Sequence, residues 1–344
     1  MLAQTTTSFV QDTTPLAHAA DLEGEGYKRR TLNFISHGEC CEAWLYTPTH
    51  AVGEQQTSLP PVIVLGHGLG SQKDMGLHDF AEKFAQAGVA AFVFDYRCFG
   101  GSGGLPRHRI RWQTYLEDWE AALGFVTGPG GEMSQAVDPA RLALWGTSYS
   151  GGHVLMMAAR HPTLVKAVVA NEPFLSSRGQ LARVQGEGAG TVALMLSTAI
   201  VDQVRQSLGM SPLYVKMIGG RDELSLLQLG EEELSHMTRP TPRRQGGWQN
   251  LASASMLLSA WRYNPVDHLA EIRCPVLLVA GVKDSVCPIT SVRNAAVVLG
   301  SKATLLERPH GHIELHKKGA DPGHILPVVQ FLQRNLELQV TNGP

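Results

Sequence analysis

The chain has 344 residues, 43% hydrophobic and 17% charged, with a formal net charge of −2. That is enough to build one large α/β domain or two domains around a sizeable core, and so small a net charge gives no electrostatic case for a nucleic-acid or anionic-membrane partner. No run approaches the roughly 18 apolar residues of a membrane span, and no basic n-region with an apolar h-region marks a signal peptide.

Residues 1–26, rich in Thr and Ala at their start, are predicted to be a disordered lead-in. Arg30–Ile35 and Glu42–Tyr46 flank Ser36-His37-Gly38-Glu39, a hairpin signal. Pro61–Leu65 is unbroken apolar, as a strand buried on both faces should be. Leu77, Phe80, Ala81 and Phe84 then follow helical spacing up to Gly88, and Val89–Phe94 reads as a second buried strand. Tyr115, Leu116, Trp119 and Leu123 form a further helical stripe, followed by strands at Leu142–Trp145 and Val165–Ala170. Past residue 261 the same rhythm resumes with strands at Pro275–Ala280 and Ala303–Leu306. A last amphipathic helix is marked by Ile325, Val328, Val329 and Leu332. Strands alternating with helices imply an α/β fold, a mostly parallel central sheet with helices on both faces.

The alternation fails between 176 and 261. That stretch holds a helix-like apolar run from Thr191 to Val201, the acidic run Glu231–Glu233, a Pro- and Arg-rich link at Arg239–Arg244 and five methionines, Met195, Met210, Met217, Met237 and Met256. Lying between core strands, it is predicted to be an inserted, mainly helical cap. The organisation expected is therefore a lead-in at 1–26, an α/β core at 27–175, a cap at 176–261 and core again at 262–344. The methionines suit a plastic apolar pocket or the packing of the cap itself. Five cysteines, an odd number without a CxxC pair, read as reduced thiols and point to a cytoplasmic protein.

The most telling segment is Leu142-Ala143-Leu144-Trp145-Gly146-Thr147-Ser148-Tyr149-Ser150-Gly151-Gly152. A short apolar run enters a sharp turn and leaves as an Ala- and Met-rich helix, the strand–turn–helix setting of a nucleophile elbow. Such a turn lifts the serine hydroxyl clear of the backbone beside the positive end of a helix dipole. The fifth elbow position is Ser150 rather than Gly; framing on Ser150 instead would put Ser148 where Gly is required, so Ser148 is the candidate nucleophile. Two further parts follow in chain order. Asp284 lies in the loop after the 275–280 strand, and His312 in the loop after the last strand. A serine hydroxyl needs a base to become nucleophilic, an imidazole supplies one, and a carboxylate holds the ring's tautomer. His310 competes with His312; His312 is preferred because it follows Gly311 and opens an apolar segment. A metal site on His312, Glu314 and His316 is set aside, since Glu314 is one residue late for a zincin pattern. In Gly66-His67-Gly68-Leu69-Gly70, after the 61–65 strand, and at the residue after the nucleophile, the backbone N–H groups of Leu69 and Tyr149 are the expected oxyanion donors. The Gly-rich segments at 100–104 and 186–190 match neither a P-loop nor a dinucleotide fingerprint, so no cofactor and no metal are expected.

From about residue 27 to 336 the chain resembles an α/β hydrolase. The segments Gly66–Gly70, Trp145–His153, Asn171-Glu172-Pro173-Phe174, Trp248-Gln249-Asn250, Arg262-Tyr263-Asn264-Pro265, Lys283–Pro288 and Gly311–Leu315 resemble a narrower group. That group holds microbial hydrolases and the fungal polyketide transferases and thioesterase-like enzymes of secondary-metabolite clusters. The resemblance implies a Ser148–Asp284–His312 triad and a polyketide-type acyl thioester, on an acyl carrier protein or polyketide synthase, passed to an alcohol or to water. General carboxylesterase activity is the second reading, and a non-hydrolytic cyclase or ligand-binding protein the third; oligomeric state is left open.

Overall fold

The computed structural model describes residues 21–49, 58–178, 189–220, 223, 225–238, 248–314 and 321–338. Twelve strands and eight α-helices are assigned among them. The first half of the core contains β1 (Leu22–Gly24), β2 (Tyr27–Ser36), β3 (Glu39–Pro48), β4 (Pro61–Gly66), α1 (Leu77–Gln86), β5 (Ala90–Phe94), α2 (Trp112–Thr127), β6 (Asp138–Thr147), α3 (Tyr149–Arg160) and β7 (Val165–Asn171). The intervening region carries α4 (Ala189–Ser207), β8 (Tyr214–Gly219), β9 (Ser225–Gln228), α5 (Glu231–Thr238), β10 (Ala252–Ser253) and α6 (Leu257–Ala260). The chain finishes with β11 (Val276–Gly281), α7 (Ile289–Leu299), β12 (Ala303–Arg308) and α8 (Pro322–Asn335).

Nine strands form one sheet in the order β1-β2-β3-β5-β4-β6-β7-β11-β12. β1, β2, β3 and β5 pair antiparallel, and the pairs from β5 through β4, β6, β7 and β11 to β12 are parallel. Side-chain alternation sends neighbouring residues of one strand to opposite faces. Val62 and Val64 of β4 join a core with Tyr115 and Trp119 of α2 and Val154 of α3, while Ile63 and Leu65 join Phe80 and Phe84 of α1 and Val328 and Leu332 of α8. Every residue of β4, β5 and β11 is therefore buried, and each Val, Leu, Ile or Phe so placed contributes about 1.5–3 kcal/mol from its apolar surface.

One expectation is amended: within the lead-in expected over 1–26, β1 pairs with β2 through Leu22↔Arg29 and Gly24↔Tyr27, and residues 1–20 lie outside the described residues. The region expected as a mainly helical cap carries α4, α5 and α6 and, beside them, a second sheet, β10-β8-β9, with β8 antiparallel to β10 and parallel to β9. The run Thr191–Val201 lies within α4, whose buried Asp202 accepts from the backbone N–H groups of Leu213 and Ser255, both at 2.7 Å. Glu231–Glu233 opens α5, where acidic side chains complement the helix dipole. The Arg239–Arg244 link and residues 186–188 lie outside the described residues. Among the described residues no helix is long and apolar enough to cross a membrane.

Candidate active site

The turn between β6 and α3 holds Ser148 at φ 56°, ψ −117°, a backbone conformation that costs a non-glycine residue about 1–3 kcal/mol. The surroundings over-determine it. The Ser148 N–H donates to the Asn171 carbonyl at 2.8 Å, and the Ser148 carbonyl accepts from the Phe174 N–H at 2.8 Å. Close packing is also required at Gly146, where a Cβ would sit 2.2 Å from the Ser150 carbonyl oxygen. The unusual fifth position now has a reason. Ser150 Oγ lies 2.9 Å from Tyr96 Oη, which accepts from Trp119 Nε1 at 2.8 Å. The tight approach of α3 to the β7 loop falls instead to Gly151 and Gly152, whose Cβ atoms would meet Pro173 Cα at 2.7 Å and the Phe174 oxygen at 2.4 Å.

The structure brings Ser148, Asp284 and His312 together from the ends of β6, β11 and β12. His312 Nε2 lies 2.9 Å from Ser148 Oγ, and His312 Nδ1 lies 2.7 Å from Asp284 Oδ2. With the ring proton on Nδ1, the assignment this network requires, His312 donates to the carboxylate and accepts from the serine hydroxyl. The other carboxylate oxygen, Asp284 Oδ1, accepts from the Val286 and Cys287 N–H groups, both at 2.7 Å, which fixes its direction. All three side chains are buried. His310 makes no such contact; its ring lies 3.8 Å from Glu314 and is partly exposed. A hydroxyl, an imidazole and a carboxylate in this line can withdraw the serine proton as the oxygen attacks a carbonyl.

Leu69 follows β4 and lines the same cavity as Ser148 and His312, and Tyr149 opens α3 directly after Ser148. A Cβ on Gly68 would stand 3.4 Å from Ser148 Cβ, so the loop carrying Leu69 passes close over the nucleophile. Two contacts that sequence reasoning missed hold that loop. Trp248 Nε1 donates to the Gly70 carbonyl at 2.8 Å. Lys73 Nζ is buried between Glu42 (2.6 Å) and Asp95 (2.5 Å). Burial works against both charges of the closer pair, yet their attraction prevails, holding Lys73 above and Asp95 below their ordinary ranges. His67 is buried against Asp95, and burial depresses its imidazole to about 4, leaving it neutral.

Above the serine, a cavity with about 550 Å³ of empty space, its solvent-open mouth included, is walled by Met75 of the core and by Met217, Ile218, Leu227, Met237 and Trp248. Of the five cap methionines, Met217 and Met237 thus meet the pocket expectation, whereas Met256 is buried in the core and Met210 is exposed. Asp284, Cys287 and His312 place possible metal ligands within 4.8 Å of one another, but both His312 nitrogens are already engaged, by Ser148 and Asp284. His316 lies outside the described residues.

A family profile described as "Serine aminopeptidase, S33" matches residues 57–312. The chain is 30% identical over 304 residues to the quorum-quenching protein AidA of Acinetobacter baumannii (strain MDR-ZJ06), covering 88% of this chain and 94% of that protein. It is 32% identical over 291 residues to the thiohydrolase apmlB of Arthrinium phaeospermum, covering 80% and 89%. Among solved structures, the α/β hydrolase GrgF from Penicillium sp. sh18 has a TM-score of 0.72 at 23% identity, covering 90% of this chain and 99% of that one.

Proposed function

We propose, from the premise that the chain belongs to the serine aminopeptidase S33 family of α/β hydrolases, that it takes an apolar, polyketide-type acyl group from a thioester onto Ser148 and passes it to an alcohol or to water. The observation that carries this reading is the Ser148–His312–Asp284 line at the floor of a cavity walled by methionine, leucine, isoleucine and tryptophan. Such a wall suits an apolar acyl chain and offers little to a sugar or a charged peptide. The thiohydrolase name of one relative points the same way.

Ser148 Oγ attacks the carbonyl carbon as its proton passes to His312 Nε2, and Asp284 stabilises the resulting imidazolium. The tetrahedral oxyanion is received by the N–H groups of Leu69 and Tyr149; removing one such donor typically costs about 3 kcal/mol of barrier. Collapse expels the thiol, which leaves with the proton from His312. The acyl-enzyme is then attacked by an alcohol or water, whose proton His312 takes; collapse breaks the acyl–Ser148 bond, and Ser148 Oγ leaves with that proton from His312. A roof built from β8, β9 and α5 limits water at the ester, so a bound alcohol has a high effective concentration. The donor is a small-molecule thioester, carried by an acyl carrier protein or polyketide synthase. A cytoplasmic setting is consistent with five free cysteines, four of them buried.

The test is product analysis by mass spectrometry with acetyl, octanoyl and decanoyl thioesters, with and without a hydrophobic alcohol. Preference for the longer chains, with alcohol diverting product from acid to ester, is expected. Best turnover of acetyl esters with no ester product would instead make the protein a general carboxylesterase.

A further inference from the structure

Glu172 follows directly after β7 and stands beside His312. Its side chain is wholly buried, and among the described residues neither carboxyl oxygen has a hydrogen-bond partner. Glu172 Oε2 lies 3.9 Å from His312 Nδ1, the same nitrogen that Asp284 Oδ2 holds at 2.7 Å. The backbone is specialised for this placement: Glu172 adopts φ 47°, and its N–H donates to the Val279 carbonyl at 2.7 Å. Gly281 leaves the carboxyl its room, since a Cβ there would stand 3.3 Å from Glu172 Oε1 and 2.5 Å from the His310 carbonyl oxygen. A buried polar group without a partner needs an explanation, and a left-handed non-glycine residue beside a candidate base supplies a second reason to seek one.

We propose that Glu172 is a positioning residue, a reserve carboxylate that accepts a hydrogen bond from His312 Nδ1–H when Asp284 cannot. Asp284 and Glu172 stand at the C-terminal ends of neighbouring parallel strands, β11 and β7, so both reach one ring nitrogen from the sheet edge. A small side-chain movement closes the 3.9 Å gap to hydrogen-bond distance. The titratable groups facing Glu172 are His312, Asp284, Glu233 from α5 and Glu314 beyond β12. Burial first, then the three carboxylates, hold the Glu172 carboxyl well above its ordinary range. With Asp284 intact, the nearer carboxylate, at 2.7 Å against 3.9 Å, holds Nδ1, and Glu172 retains its proton more readily than a free glutamate. In an Asp284→Asn variant the amide donates to Nδ1 and traps the ring in the wrong tautomer, a change that typically lowers rate by about 10⁴-fold. Ionised Glu172 reverses part of that loss by accepting a hydrogen bond from Nδ1–H and so restoring the productive tautomer, and the variant gains activity as pH rises through the raised Glu172 titration.

The experiment measures the rate of Ser148 labelling by a fluorophosphonate against pH in the wild type, Asp284→Asn and Asp284→Asn/Glu172→Gln. Asp284→Asn should show an alkaline rise of about tenfold or more that the wild type lacks, and the double variant should lose it and fall towards the full ~10⁴-fold deficit. Identical rates and pH profiles for the two variants overturn the proposal. Should the double variant fail to fold, an Asp284→Asn profile without the added alkaline rise overturns it alone. The inference rests on Ser148 being the nucleophile. A wild type that takes no label defeats that reading, whereas a labelled wild type with a flat Asp284→Asn profile defeats only the reserve carboxylate.

Discussion

Lys73 lies shortly beyond Gly70, with its ammonium sealed between Glu42 and Asp95 and 4.7 Å above the Trp44 ring. Replacing Lys73 by Met keeps most of the stem and removes the charge. Asp95 is then left buried with the backbone N–H groups of Lys73 (2.7 Å) and Gly101 (2.9 Å) but no counter-ion. Breaking one side of a buried pair costs about 3–5 kcal/mol; the two surviving N–H donors place this case near the lower end, about 3 kcal/mol. At roughly 2 °C per kcal/mol for a chain of this size, Tm should fall by about 6 °C. The pH dependence has a definite sign. In the wild type Lys73 outweighs burial and depresses the Asp95 carboxyl, so the pair contributes stability above the ordinary carboxylate range that is lost as pH falls through the depressed value. In the variant, burial acts unopposed and raises the same carboxyl, so the variant recovers as acid neutralises it. Thermal unfolding at about pH 8 and pH 5 should show the wider gap at pH 8. Equal Tm values, or a gap that widens in acid, would refute the buried-pair reasoning.

Three further outcomes follow from the same geometry. His312→Ala should slow acylation and deacylation together by several powers of ten, whereas His310→Ala should change either by less than about threefold, as single-turnover kinetics will show. Removing the Ser150 hydroxyl by Ser150→Ala strips Tyr96 of its neighbour and should cost about 1 kcal/mol in denaturant unfolding; no change in midpoint would mean the bond contributes nothing. Met217→Trp should fill the cavity above Ser148, cutting kcat/KM for decanoyl thioesters about tenfold or more while sparing acetyl thioesters; equal losses on both would indicate a distorted site rather than a filled one.

The core strands and the juxtaposition of Ser148, Asp284 and His312 were legible because each of these segments has a local pattern and follows a core strand. Pro61–Leu65, Val89–Phe94 and Pro275–Ala280 are apolar on both faces, and that continuity is what a doubly covered strand requires. The elbow is legible because a strained turn restricts the residues around it. The 176–261 region was less so: β8 and β9 are short, burial in β8 is confined to Met217–Gly219 and in β9 to Ser225, and such fragments carry no alternating pattern to set them apart from the helices around them. The Glu42–Lys73–Asp95 cluster joins residues 31 and 22 positions apart, and no spacing rule predicts such a pairing from one sequence. Nothing in Asn171-Glu172-Pro173-Phe174 announces that the Glu172 carboxyl is buried beside a histidine from the loop after β12. Ser150 was an apparent flaw in the elbow until Tyr96 supplied its partner.

The central claim is that Ser148 carries the acyl group. Mixing the protein with an octanoyl thioester, quenching at short times and measuring intact mass, followed by peptide mapping, tests it directly. The account predicts a single octanoyl adduct on the peptide containing Ser148, absent from a folded Ser148→Ala variant. An adduct that persists in Ser148→Ala or maps to Ser150, or turnover of the thioester with no adduct and no dependence on Ser148, would contradict it.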